Sequence, residues 1–302
     1  HVGITGRLEG MLSNDCGKTW DAPVTIVDSK VDDRNPALGQ ALDGTLVLAY
    51  HEQGSYLEDG SWASHLEKVR MMVTRSKDGG ATWETPREMG VPEMEKHSAF
   101  GHIVTLEDGT MLMPIYGHDR TLGEGCCAYL LRSSDNGISW RDPSLISAKY
   151  NETALLLLPG GGLLAAMRSS EEGLLALSNS SDRGYSWDSP RHVTEAKEHP
   201  ADLTLLSNGW VLMVFGVRHE PYGVQALLSK DQGTIWEGRL VVCDDLEESD
   251  LGYPSTVAVG DCLVTVYYSA PRIFGDPSFL GKGAFARVLR YSEEALVGEL
   301  SR

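Results

Sequence analysis

The 302-residue sequence predicts an all-β fold, a six-bladed β-propeller of four-stranded antiparallel blades. Three observations carry this. The pattern Ser-x-Asp-x-Gly-x-x-Trp is written five times, as SNDCGKTW at 13, SKDGGATW at 76, SSDNGISW at 133, SSDRGYSW at 180 and SKDQGTIW at 229. Apolar hairpins recur between these boxes. Amphipathic helical periodicity is nearly absent. The boxes start 47 to 63 residues apart, the period of propeller blades rather than of helical repeats.

The hairpins come first in each repeat. PALGQALDGTLVLAY (36–50), GHIVTLEDGTMLMPIY (101–116), TALLLLPGGGLLAAM (153–167), ADLTLLSNGWVLMVF (201–215) and PSTVAVGDCLVTVYY (254–268) each read as strand, DG, GG, NG or GD turn, and strand. Such dipeptides supply the backbone freedom a tight hairpin needs. A third strand then leads into a box, as in VRMMVTRS before Lys77 and AYLLRS before Ser134, and a fourth such as WETPREM follows it. The first box has no hairpin ahead of it and the last hairpin has no box behind it. GAFARVLRYSEEAL offers a third strand for that last blade, and YSEEALVGEL is the one helix candidate. The expectation is therefore six blades in a single domain spanning 1–302, with the first blade truncated and its missing start upstream of His1.

A net charge of −17 argues against nucleic acid or an anionic membrane surface as partner. It leaves room for a small anion held by local arginines. No run of about 18 apolar residues is present, so no membrane span is expected. The five cysteines, 16, 126, 127, 243 and 262, lack metal-ligand spacing. Their odd number favours free thiols and a reducing, cytoplasmic compartment; a secreted origin stays open, because the sequence does not begin with an initiator methionine. The histidines are scattered, so no metal is expected, and no phosphate loop or other cofactor motif appears. Nothing sets the oligomeric state.

The repeated boxes resemble the Asp boxes, or BNR repeats, of the sialidase (neuraminidase) superfamily, and the resemblance covers nearly the whole chain. It implies a retaining exo-α-sialidase that removes the terminal acidic sugar of a glycoconjugate or oligosaccharide. Most glycosidases use two carboxylates, but sialidases use a tyrosine nucleophile. Their substrate carries a carboxylate on the anomeric carbon and repels an anionic nucleophile. A neutral tyrosine avoids that repulsion, a glutamate can take its proton, and arginines clamp the carboxylate.

Strand order places every box on one rim and converges the starts of first strands and the ends of second strands on the other. In the family the activating glutamate opens an inner strand and an arginine closes the same hairpin; NETALLLLPGGGLLAAMR resembles this with Glu152 and Arg168. The nucleophile opens a later inner strand, which DLGYPSTV resembles with Tyr253. Asp33 is the candidate acid, and Arg34, Arg218, His118, Asp119 and His199 are candidate substrate-binding groups on the same rim. The family's first arginine and its acid belong to a segment absent before Ser13. Arg218 also stands early relative to the family's third arginine. Two other readings fit the same residues. One is an exo-arabinanase-like propeller glycosidase with Glu152 as nucleophile, and the other is a non-catalytic carbohydrate-binding propeller. The box aspartates read as turn locks, since a catalytic aspartate repeated around a ring has no chemical purpose.

Overall fold

The computed structural model describes residues 6–270 and 283–300, apart from 58, 60, 62, 64, 65, 67, 93 and 124. The chain opens with a ribbon of β1 (Leu8–Gly10) and β2 (Val24–Val27). Blade one comprises β3 (Asp32–Gln40), β4 (Leu46–Gln53), β5 (Val69–Ser76) and β6 (Arg87–Glu88). Blade two has β7 (Met94–Ala99), β8 (Val104–Thr105), β9 (Met111–Asp119), β10 (Cys126–Ser133) and β11 (Arg141–Ala148). Blade three is β12 (Tyr150–Leu157), β13 (Leu163–Ser169), β14 (Leu175–Ser180) and β15 (Arg191–His192). Blade four is β16 (Glu198–Leu205), β17 (Val211–Val217), β18 (Gly223–Ser229) and β19 (Glu237–Cys243). Blade five is β20 (Leu251–Val259), β21 (Cys262–Ser269) and β22 (Phe285–Ser292), followed by helix α1 (Glu293–Leu300).

The architecture is an all-β propeller, but it has five blades rather than the expected six. Each of the five sheets is an antiparallel meander. The first box connects β1 to β2, which have no inner hairpin among the described residues and remain a two-stranded sheet. Each of the five inner hairpins builds a blade, and a sixth counted for the first box is one too many because a box marks only the turn between outer strands.

The core lies between blades rather than in one centre. Val47 and Met71 meet Met113 and Ile115 between blades one and two. Leu130 meets Leu163 between blades two and three, and Leu164 meets Phe215 between three and four. Val214 meets Leu263 and Tyr267 between four and five. Central strands are buried on both faces, which is why their sequences run apolar without alternation. Each such side chain withdrawn from water contributes on the order of 1.5–3 kcal/mol. The ribbon fills the last gap. Leu8 and Val27 pack on Tyr50 of blade one. On the other side, a Cβ added at Gly17 would come within 3.1 Å of Val264 of blade five, and Arg290 donates to the Cys16 carbonyl.

The boxes act as turn locks. The carboxylates of Asp15, Asp78, Asp135 and Asp182 accept the backbone N–H four residues on at 2.9 Å, and Asp231 does so at 2.8 Å. The serine that opens each box accepts the glycine N–H, as in Gly137 to Ser133 at 2.9 Å. Gly233 shows why that position is glycine: its φ is +91°, and a Cβ would come within 2.7 Å of Leu164 in the preceding blade. Register puts all these turns on the rim opposite the start of the first strands, since Asp32 pairs Gln53 at one end and Leu46 pairs Ser76 at the other.

Candidate functional site

Each first strand slips by one residue near the upper rim. The pairing jumps between Arg34 and Ala37, Glu95 and Ser98, Tyr150 and Thr153, Glu198 and Ala201, and Gly252 and Ser255. Five equivalent β-bulges result, each setting two residues of the first strand against one of the second. A bulge bends its strand and re-aims side chains. The bulged pairs are Asn35-Pro36, Lys96-His97, Asn151-Glu152, His199-Pro200 and Tyr253-Pro254. Proline suits such a place because no ladder bond is required of it. First strands begin further upstream than the hairpin pattern suggests, so these residues lie within strands and not ahead of them.

Glu152 and Tyr253 thus occupy corresponding bulges of blades three and five, and they meet. The Tyr253 hydroxyl donates to Glu152 Oε1, and Arg168 Nη1 donates to Glu152 Oε2 at 2.8 Å. Arg168 stands at the position of β13 that faces the Asn151-Glu152 bulge, since Tyr150 pairs Ser169 and Thr153 pairs Met167. The Arg218 guanidinium lies 5.3 Å from the centre of the Tyr253 ring and is anchored by Nη2 donating to the Leu251 carbonyl at 2.7 Å.

Tyr253 is held in an unusual conformation. Its φ is +49°, a left-handed state costing a non-glycine residue roughly 1–2 kcal/mol. Gly252 before it has φ +93°, and a Cβ there would come within 2.9 Å of the Gly216 Cα in β17. The Tyr253 ring packs edge-on to Phe100 at 5.8 Å and tilted to Tyr268 at 5.6 Å. Tyr268 in turn donates to Asp250 at 2.7 Å.

Electrostatics at the pair run in opposing directions. Burial, then the Glu152 carboxylate, pushes the Tyr253 phenol well above its ordinary range, while Arg218 and Arg168 pull it back. Burial opposes the charge on Arg168, but Glu152 outweighs it and holds the guanidinium firmly protonated. His199 is 5% exposed, and burial with the nearby Arg168 and Arg218 drives it down to about 3, so its imidazole is neutral. Its Nδ1, Arg168 Nε and Arg218 Nε are buried nitrogens with no hydrogen-bond partner among the described residues. The two guanidiniums beside Tyr253 thus keep a donor unused, which favours an incoming acceptor or anion.

A second polar group lines the neighbouring arc. Asn35 donates to the Tyr116 hydroxyl at 2.8 Å, and His51 Nδ1 lies 2.7 Å from Ser98 Oγ. Burial and then Glu152 raise the Tyr116 phenol. Tyr116 had no sequence signal beyond closing its hairpin strand, and the bulges that bring this arc towards Glu152 were announced only by Pro36, Pro200 and Pro254.

The remaining candidates are placed differently. Arg34 is paired with Asp32 and donates to Tyr56 at 2.9 Å. Asp33 is buried; Oδ2 accepts the Ser29 N–H at 2.8 Å, and no hydrogen bond among the described residues joins it to Tyr253 or Glu152. Asp119 ends β9 as a turn cap, accepting from Thr121 N at 2.6 Å, from Leu122 N at 3.1 Å and from the Tyr129 hydroxyl. His118 is exposed with Nδ1 3.1 Å from the Gly125 carbonyl. Among the described residues no cluster of three His, Cys, Asp or Glu is arranged to hold a metal, and no helix is long and apolar enough to cross a membrane.

The BNR repeat-like domain model matches residues 7–266. A sialidase of Bacteroides fragilis is 23% identical over 218 residues, covering 65% of this chain but 39% of its own length. Among solved structures, a Dyadobacter fermentans protein of unknown function superposes with a TM-score of 0.79 at 24% identity, covering 97% of this chain and 86% of that one. The Trypanosoma rangeli sialidase, seen as a covalent intermediate with 2,3-difluorosialic acid, superposes with a TM-score of 0.68 at 16% identity, covering 99% of this chain and 51% of its own. The chain therefore spans well under two thirds of the length of both sialidases.

Proposed function

The chain belongs to the BNR repeat-like domain family, and from that premise we propose that it is a sialidase-like retaining glycoside hydrolase acting on a terminal acidic sugar. The observation that carries this reading is the Tyr253–Glu152 hydrogen bond flanked by Arg168 and Arg218. Burial and Glu152 keep the phenol protonated, so a free phenolate does not accumulate. The Tyr253 oxygen bonds to the anomeric carbon while its proton passes to Glu152, as general-base catalysis requires. The bond from the anomeric carbon to the aglycone oxygen breaks, and that oxygen gains a proton from an acid. Water then attacks the glycosyl-tyrosine and loses a proton to the carboxylate that had served the aglycone, while Glu152 returns its proton to the departing tyrosine oxygen and frees the phenol. Arg168 and Arg218 supply charge-assisted donors for the substrate carboxylate. Asp33, the candidate acid, holds the Ser29 N–H on Oδ2 and has Oδ1 without a hydrogen-bond partner among the described residues, so Oδ1 is the oxygen that would serve the aglycone.

The test is a covalent trap. Incubation with a 2,3-difluorinated sialic acid followed by peptide mapping is expected to add one glycosyl mass to Tyr253 and none in Tyr253→Phe. An adduct on Glu152 instead supports the two-carboxylate enzyme. No adduct, together with binding of the sugar, supports a carbohydrate-binding propeller.

A further inference from the structure

The bulge that carries Tyr253 has to be held on both sides, because its backbone is left-handed. On its upstream flank the hold is visible in Arg218, which binds the Leu251 carbonyl, and in the Ala270 N–H to Asp250 carbonyl bond of 2.8 Å. On its downstream flank the strand reaches the central channel, and an aspartate–histidine pair meets it there. Asp202 of β16 is 3% exposed, and its Oδ2 accepts the Thr256 N–H at 2.6 Å. Its Oδ1 lies 3.1 Å from His102 Nε2, and the same nitrogen is 3.5 Å from Ser255 Oγ.

His102 comes from the gap between β7 and β8 in blade two, while Asp202 belongs to blade four. Blade three stands between them in the ring, so this contact runs across the axis. Other bonds tie the same point of β20 to its neighbours. Thr204 Oγ1 donates to the Thr256 carbonyl at 3.2 Å, Thr256 Oγ1 lies 2.9 Å from Thr265 Oγ1, and Thr265 Oγ1 lies 2.7 Å from the Tyr291 hydroxyl. A buried carboxylate needs partners to be tolerated. Both oxygens of Asp202 are used, one on the blade-five backbone and one on blade two.

We infer that Asp202, braced across the channel by His102, is a positioning residue that holds β20 in register at Thr256 and so fixes Tyr253 against Glu152. No step of the proposed reaction uses a carboxyl group at this depth. Its bond to Thr256, three residues beyond Tyr253 on the strand that carries the strained bulge, is what gives it a purpose.

The kinetic arm of the test rests on the proposed tyrosine nucleophile; the exchange arm does not. Asp202→Ala removes the acceptor, whereas Asp202→Asn keeps one for Thr256 and can still donate to His102. Hydrogen exchange on the full chain without ligand is expected to quicken about tenfold or more over 251–259 in Asp202→Ala, with β12 and β13 unchanged, and to recover largely in Asp202→Asn. His102→Ala is expected to move the same segment less. On a sialoside, Asp202→Ala should lower kcat by about 10–100-fold with KM within about 3-fold, the signature of a misplaced reacting group. Exchange that rises uniformly along the chain, or an Asn variant as defective as Ala, overturns the inference. If the wild type turns over no sialoside, the reaction proposed above fails, and the exchange comparison alone decides the strut.

Discussion

The Tyr253 hydroxyl bonds the Glu152 carboxylate although 101 residues separate them. Two copies of the same bulge make that possible, one in blade three and one in blade five. A carboxylate so placed can accept the phenolic proton as a bond forms at the tyrosine oxygen. Glu152→Gln keeps size and hydrogen bonding but cannot take the proton, and kcat on a sialoside is expected to drop about 10²–10⁴-fold. Tyr253→Phe should be at least as damaging while sugar binding, measured by calorimetry, persists. A Gln variant with near-normal kcat removes Glu152 from the reaction.

Arg168 and Arg218 make a separate prediction, because the proposed reaction has them recognise charge rather than react. Replacing either by lysine keeps the charge but loses the planar fork. KM for a carboxylate-bearing substrate should rise about 10–100-fold, consistent with losing a charge-assisted hydrogen bond worth about 1.5–3 kcal/mol. An analogue with the carboxylate reduced to an alcohol should bind weakly to the wild type and lose little more in the variants. Equal losses for acid and alcohol would mean the arginines only buttress Glu152 and the Leu251 carbonyl.

How far the residues alone could be read follows from the physics of each feature. Hairpin turns and box turns are local, so LDGT, LSNG and the Ser-Asp-Gly spacing revealed strand order and the rim on which Glu152 and Tyr253 meet. The blade count was not local: SNDCGKTW looks like every other box, yet β1 and β2 have no inner hairpin to build on among the described residues. The bulges escaped notice because a one-residue slip leaves the apolar pattern of a doubly buried strand unchanged. Asp33 and Asp119 were read from rim position alone. Their carboxylates accept local N–H groups, a use of aspartate that sequence position does not separate from a role at the mouth.

Acid should destabilise the ring through its buried histidines. His51 falls from the ordinary 6.5 to about 3, by burial and then Arg34, and His199 falls to about 3, by burial and then Arg168 and Arg218. Between those values and 6.5 the unfolded chain binds more protons than the folded one, so stability declines as pH falls through the window. From pH 7.5 to pH 5 each histidine accounts for about 2 kcal/mol of that decline. Urea unfolding of His199→Gln should show a dependence flatter by about that amount over the same interval. Parallel pH profiles for the variant and the wild type would mean His199 is already solvated.

The boxes offer the converse test, a stability change without a change in chemistry. Asp135 accepts the Ser139 N–H at 2.9 Å and the Ser133 hydroxyl at 2.7 Å, which keeps Gly137 against Val47 of blade one. Asp135→Ala strips acceptors from a half-buried turn, at a cost of about 1–3 kcal/mol. Thermal unfolding should come several degrees earlier, with kcat and KM on a sialoside unchanged at temperatures where the variant is folded. The box lies on the rim opposite Tyr253, so a folded Asp135→Ala with a reduced kcat would show that the turn lock and the reacting tyrosine are coupled through the blade.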